Sequence, residues 1–137
     1  MEPVIAQKNR GIIVAYINEA KLLDERMIGD VGNGLMAAME RAEDNRLLIN
    51  FQNVRFMSSS MIGKIVTLYK KCKGNQINLK LSNISVEIME VFQLMNLHKL
   101  LSIYNDEAEA MLAFEKDGWI KWLPIWINDG SECYLFI

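Results

Sequence analysis

Leu47-Leu48-Ile49-Asn50-Phe51-Gln52-Asn53-Val54-Arg55-Phe56-Met57-Ser58-Ser59-Ser60-Met61-Ile62-Gly63 is the stretch on which the fold turns. Leu47, Leu48, Ile49 and Phe51 make a strand too apolar to have one wet face. After Ser58-Ser59-Ser60, the residues Ile62, Ile65, Val66, Tyr69 and Cys72 fall at helical spacing, so the unit is strand, short loop, helix. Lys70, Lys71 and Lys73 suit a helix C-terminus, and Gly74 offers a left-handed stop, which predicts a helix end near residue 73. Ile77 to Ser82 is the next strand, with Ile77, Leu79 and Leu81 on one face and Gln76, Asn78 and Lys80 on the other. Strand, helix and strand in this order imply a right-handed crossover between parallel neighbours.

Working outward, Val4–Lys8 and Gly11–Asn18 are β-rich runs divided by Asn9-Arg10-Gly11, which reads as an N-terminal hairpin. Between Glu25 and Glu43, Ile28, Val31, Leu35, Met39 and Ala42 form a helical stripe. Gly29, Gly32 and Gly34 weaken it by up to ~1 kcal/mol each relative to Ala, so packing must hold that helix or its first turn is irregular. Downstream, Ser85 caps a helix whose buried stripe is expected to be Ile88, Val91, Phe92 and Met95, and Asn96 supplies its left-handed stop. Leu100–Tyr104 is a short strand, and Asp106 with Glu109 opens a last helix through Met111 and Leu112 to about Glu115. The class is α/β, a mixed sheet of four to five strands with about four helices on one or both faces.

Residues 119–137 differ in character. They hold all three tryptophans of the chain with Tyr134 and Phe136, and Asn128-Asp129-Gly130 is a hairpin turn signal between two β-rich arms. Pro124 limits the first arm to an edge position or breaks it. The chain therefore divides into a domain at 1–117 and an apolar, hairpin-like extension at 118–137. An open apolar edge is an association site, so the extension either folds back on its own chain or pairs two copies into a homodimer through residues 119–137, the reading preferred here.

Composition bounds the chemistry. With 137 residues, 51% hydrophobic, 23% charged and a net charge of −2, the chain is one globular domain, not basic enough to clamp nucleic acid. Its longest apolar run, Ile12–Ile17, is far short of the ~20 residues of a membrane span, and Met1-Glu2-Pro3 is not a signal-peptide start, which points to the cytoplasm. Cys72, Cys133 and a single His98 give no disulfide framework and no zinc spacing, so neither a metal nor a cofactor is expected.

Four segments resemble those of one family in the correct order. Leu47–Gly63 resembles the strand, loop and helix start of STAS domains, the fold of bacterial anti-sigma factor antagonists. Lys73–Ser85 looks like the family's next strand and helix cap, Val91–Leu101 like its helix-to-strand turn, and Asn105–Leu112 like its last helix. The similarity spans roughly residues 4–115. In the antagonists the loop reads Asp-Ser-Ser/Thr-Gly-Leu-Gly, and the first Ser is phosphorylated by an anti-sigma factor that is also a serine kinase. The resemblance therefore implies Ser59 as the phosphoacceptor, ahead of Ser60 and Ser58. Ser58 stands at the family's Asp and Met61 at its first Gly, while Ile62-Gly63 completes the pattern.

The residues themselves give the serine run a mechanism. A hydroxyl before a helix caps it, and a phosphate at a helix N-terminus sits well with the protein that carries it but repels an apolar or acidic partner docked there. Taken with the resemblance, which implies an anti-sigma factor or serine kinase-like protein as partner, this makes Met57, Ser58, Ser59, Ser60, Met61, Ile62 and Gly63 the expected partner surface. A structural STAS scaffold or transporter-complex subunit without a phosphoswitch is the alternative. No catalytic residues are assigned: no GxSxG elbow surrounds a serine for His98 to activate, and Asp24, Glu25 and Asp30 read as a solvated helix start. Gly29–Gly34 shares only composition with a phosphate cradle. Among the methionines, Met89 and Met95 are expected in the core, whereas Met57 and Met61 would widen the partner face if exposed.

Overall fold

Arg10 and Gly11 lie in the left-handed region at φ 54° and 80°, closing the two-residue turn that joins β1 (Val4–Asn9) to β2 (Ile12–Ile17) as an antiparallel hairpin. The computed structural model describes residues 3–120, with side chains to residue 117. The elements that follow are β3 (Lys21–Leu22), α1 (Glu25–Glu40), β4 (Arg46–Asn50), β5 (Phe56–Met57), α2 (Ser59–Gly74), β6 (Asn78–Ser82), α3 (Val86–Leu94), a 3-10 turn at Leu97–Lys99, β7 (Ser102–Tyr104) and α4 (Glu107–Ile120). Five strands form one sheet in the order β1-β2-β4-β6-β7; β2, β4, β6 and β7 run parallel, and β1 is the antiparallel edge. The class and element order agree with the sequence reading. The small β3–β5 pair does not appear in it, because two residues carry no readable period.

Helices cover both faces. The larger core joins Ile28, Val31 and Leu35 of α1, Met61, Ile62 and Ile65 of α2, and Ile88 and Phe92 of α3 to Ile13, Ile49 and Leu81 of the sheet. On the other face, among the described residues, α4 alone lays Ala110, Met111 and Phe114 on Ile12, Val14 and Leu48. This explains why Lys80 and Ser82, on the face opposite Leu79 and Leu81, are buried as well. Strands covered on both sides lose the polar alternation that one-sided sheets keep.

Three local expectations are corrected. Gly74 is the last residue of α2 and not its left-handed stop; Gln76 takes that role at φ 60°, with Ile77 N–H donating to the Cys72 carbonyl at 2.7 Å in a Schellman arrangement. Val91 and Met95 are exposed, because α3 buries only the stripe through Ile88 and Phe92; Asn96 is left-handed as expected, at φ 59°. The last helix runs on to Ile120, past Glu115 and past the division at 117/118. The hairpin and the homodimer read into residues 119–137 lie, apart from that helix end, outside the described residues.

The glycines of α1 mark close approach. A Cβ on Gly34 would stand 2.8 Å from Val4 Cβ and Cγ2, so only glycine lets the helix seat on β1. Gly34→Ala should destabilise by about 1–2 kcal/mol, overpacking outweighing the gain in helix propensity. Gly29 has nothing within 4 Å of such a Cβ, so Gly29→Ala should stabilise by up to ~1 kcal/mol. Urea unfolding of both variants checks the pair, and equal effects would mean that Val4 does not constrain the helix.

At the front of α4, Tyr16 OH and Asn50 Nδ2 both donate to Glu107 Oε1, at 2.8 and 3.1 Å. Burial first, then this hydrogen bond and the Glu107 charge, push the Tyr16 phenol from 10.0 up to about 12. The folded protein therefore holds the Tyr16 proton more tightly than the unfolded chain does. Its stabilisation is intact below pH 10 and is lost as pH climbs from 10 to about 12. Unfolding midpoints measured across this range should fall less steeply in Tyr16→Phe, and parallel profiles would exclude the phenol as the cause.

Candidate functional site

The serine run lies where β5 hands over to α2. The Ser58 amide donates to the Leu22 carbonyl at 3.0 Å, and the Arg55 and Phe56 amides donate to Ala20, so the loop is tied by its backbone to β3. Ser58 is the N-cap of α2 in extended conformation, its Oγ accepting from the Met61 amide at 3.3 Å. Ser59 follows as the first helical residue and is exposed. Ser60 Oγ donates to Glu25 Oε1 at 3.2 Å, joining the starts of α2 and α1. The three hydroxyls thus have separate positions: one caps, one bridges two helices, and Ser59 faces solvent. The first turn of α2 carries no acidic side chain, which leaves its positive end uncompensated from within the helix.

The expected partner surface is only partly assembled. Ser59, Ser60 and Gly63 are exposed and Met57 and Ser58 are half-buried, but Met61 and Ile62 are fully inside the larger core, so their side chains are removed from the proposed contact. Met61 holds that position because the third residue of α2 points down onto the sheet while the first points out.

Two apolar residues the sequence reading missed take their place. Leu23 and Phe56 are 55% and 52% exposed and flank the serines at the ends of the β3–β5 pair, with Lys21 Nζ 5.8 Å from the Phe56 ring centroid. Nothing in the sequence marks them, since an isolated Leu or Phe beside a loop reads as core. Beside Phe56 a groove of about 430 Å³ continues to Ser85 and Glu87 at the start of α3.

Other candidates stay apart from this site. Asp24 is the N-cap residue of α1, and Asp24, Glu25 and Asp30 are all exposed; among the described residues no group of three or more His, Cys, Asp and Glu side chains could hold a metal. Gly29–Gly34 lies within the regular helix α1. His98 sits in the 3-10 turn, its Nδ1 buried with no hydrogen-bond partner among the described residues, and so bonded to none of the serine hydroxyls at 58–60. Among the described residues no helix is long and apolar enough to cross a membrane.

Comparison with known proteins places the fold. The anti-sigma F factor antagonist of Paenibacillus polymyxa is 21% identical over 109 residues, covering 80% of this chain and 92% of that protein. The structure of an anti-sigma-factor antagonist (STAS) domain protein from Planctomyces limnophilus superposes with a TM-score of 0.71 at 23% identity, over 80% of this chain and 96% of that one. The antagonist SpoIIAA in its unphosphorylated form gives a TM-score of 0.65 at 19% identity, over 82% and 96%. The STAS domain family model matches residues 5–110, from within β1 into the first turn of α4, and the serine loop lies inside that match. By this match, which takes in every strand of the sheet, the chain belongs to the STAS domain family.

Proposed function

We propose that the protein acts by binding: it captures an anti-sigma factor through the surface around Ser59 and so frees a sigma factor, and phosphorylation of Ser59 by a serine kinase of the anti-sigma type ends the capture. The observation that carries this is the division of labour among the serines, which leaves Ser59 exposed at the positive end of α2, with Leu23 and Phe56 exposed on the adjoining β3 and β5 segments. Leu23 and Phe56 supply apolar contact, while Lys64, Lys70 and Lys71 on the exposed side of α2 suit an acidic partner patch. A phosphate there adds roughly −1.5 to −2 charge. Glu25 already stands beside Ser60, so the new charge enlarges an acidic spot in the middle of the contact.

Affinity capture from the source cytoplasm tests this. Wild-type bait should recover an anti-sigma kinase, and Ser59→Asp bait should recover about tenfold less, a loss of ~1.4 kcal/mol. The recovered kinase with ATP should add one phosphate by mass spectrometry, absent in Ser59→Ala. Equal recovery by both baits, or a phosphate that persists in Ser59→Ala, would overturn the switch. A scaffold or transporter-complex role without a switch is the second reading, favoured by the neutral cap Ser58 at the position where the antagonists have Asp. Recovery of transporter subunits and no kinase would establish it.

A further inference from the structure

β1 is the longer of the two sheet edges, six residues against three in β7, and among the described residues its outer side pairs with no strand. Asn9 and Ile12 close the two-residue turn, and the Asn18 amide donates to the Pro3 carbonyl at 2.7 Å. Pro3, Ile5, Gln7 and Asn9 therefore turn their backbone groups to β2, and Val4 and Ala6 point theirs away from the sheet, open to an added strand. Between them Ile5, 40% exposed, shares the face of its cross-strand neighbour Tyr16 but stands outside the cluster under α4.

α1 packs on both β1 and β2, so its axis stands over the gap between them. Its flank toward β1 is one helical row, Asp30, Gly34, Ala37 and Arg41, which shares a groove of about 410 Å³ with Val4, Ile5 and Ala6. Asp30, Ala37 and Arg41 are exposed, and neither charge enters an ion pair among the described residues. The row is complementary to its own reverse. Turned about a point between Leu35 and Met36, Asp30 falls on Arg41 and Gly34 on Ala37. Gly34 lies against Val4, and β1 and α1 both run opposite to β2, which sets that point beside Ile5.

We propose that two copies of the chain join at this edge: β1 pairs antiparallel with β1 of the partner subunit about a twofold axis at Ile5, fusing two five-stranded sheets into one. Val4 then stands opposite Ala6 of the partner subunit and exchanges both backbone hydrogen bonds with it, and the same pair recurs across the axis. Ile5 meets Ile5 of the partner subunit at a non-hydrogen-bonded position, where facing side chains come closest. Lys8, the one charge on β1, stands beyond the paired stretch Pro3–Gln7 and has Glu43 of its own chain at 3.9 Å. On the helical side the two α1 axes lie two strand spacings apart, about 9–10 Å, within the range of packed helices. Gly34 and Ala37 keep that seam narrow, and Asp30 and Arg41 pair across the axis at both ends. None of these residues belongs to the Ser59 surface, so the dimer presents two such surfaces.

Sedimentation equilibrium of the full-length protein at roughly 10–100 μM tests this, and wild type should be a dimer. Ile5→Lys, which sets two ammonium groups against each other at the axis, should give a monomer with native circular dichroism. Asp30→Arg and Arg41→Asp should each weaken the dimer at least about tenfold by bringing like charges together. The double variant Asp30→Arg/Arg41→Asp should recover it, because every exchanged charge again meets its opposite. Leu94→Lys, at an exposed position on α3, should leave the dimer intact. A wild-type monomer throughout this range, a dimer that persists in Ile5→Lys, charge losses that add in the double variant, or dissociation by Leu94→Lys as readily as by Ile5→Lys would each overturn the proposal. None of these readouts depends on the Ser59 surface or on an anti-sigma factor.

Discussion

Met61→Gly, which puts glycine at the position where the resemblance implies one, should destabilise this protein by about 3–5 kcal/mol. Met61 is fully buried in the larger core, where truncating a Met costs ~2–5 kcal/mol through lost burial and the cavity left behind, and glycine within a helix adds up to ~1 kcal/mol. Against a domain stability of ~5–15 kcal/mol this is a large fraction, and the midpoint of thermal unfolding should drop by roughly 10–20 °C. Met61→Leu, which keeps most of the volume, should cost less than ~1.5 kcal/mol. Chemical denaturation of the two variants separates packing from backbone chemistry. A loss below ~1 kcal/mol for Met61→Gly would show that the core closes without this side chain.

The second large effect belongs to the other face of the sheet. Lys80 is almost wholly buried, with Asp117 Oδ2 at 2.9 Å, Tyr104 OH at 3.4 Å, and the Phe114 and Tyr104 ring centroids at 5.1 and 5.3 Å. Asp117→Ala leaves the ammonium buried without its counter-charge and should cost about 2–4 kcal/mol, somewhat below the value for two fully buried partners because Asp117 is half-exposed. Lys80→Met removes the charge and fills the space, so the double variant Lys80→Met/Asp117→Ala should recover to within ~1 kcal/mol of wild type. A double-mutant cycle reads the coupling. Additive losses would mean that Asp117 stabilises α4 through Asn78 alone.

The same two residues show where sequence reading stops. The order of elements was legible because buried strands, capped helices and turn residues each carry a local signature, as at Arg10-Gly11, Ser85 and Asp106, whose carboxylate accepts the Glu109 amide at 2.8 Å. Which face an isolated residue meets is a tertiary matter. Alternation set Lys80 opposite Leu79 and Leu81 but left open what covers that face, because nothing local announces that α4 will return over β6. It left Met61 open to the surface because a residue after three serines has no fixed direction until the helix start is set at Ser59. Leu23 and Phe56 failed in the opposite sense. They are apolar, yet two-residue strands hold them at the rim of the serine loop.

The tie between Leu22 and Ser58 also limits what can be transplanted. Because the amide of Ser58 answers to a carbonyl on β3, and those of Arg55 and Phe56 to Ala20, the serine loop is a two-segment object. Grafted into a foreign scaffold as Arg55–Gly63 alone, it would lose three backbone bonds and with them the angle at which Ser59 meets a visitor. A working graft has to bring Ala20-Lys21-Leu22 along, and a search for functional kin by the loop string alone inspects half of the device.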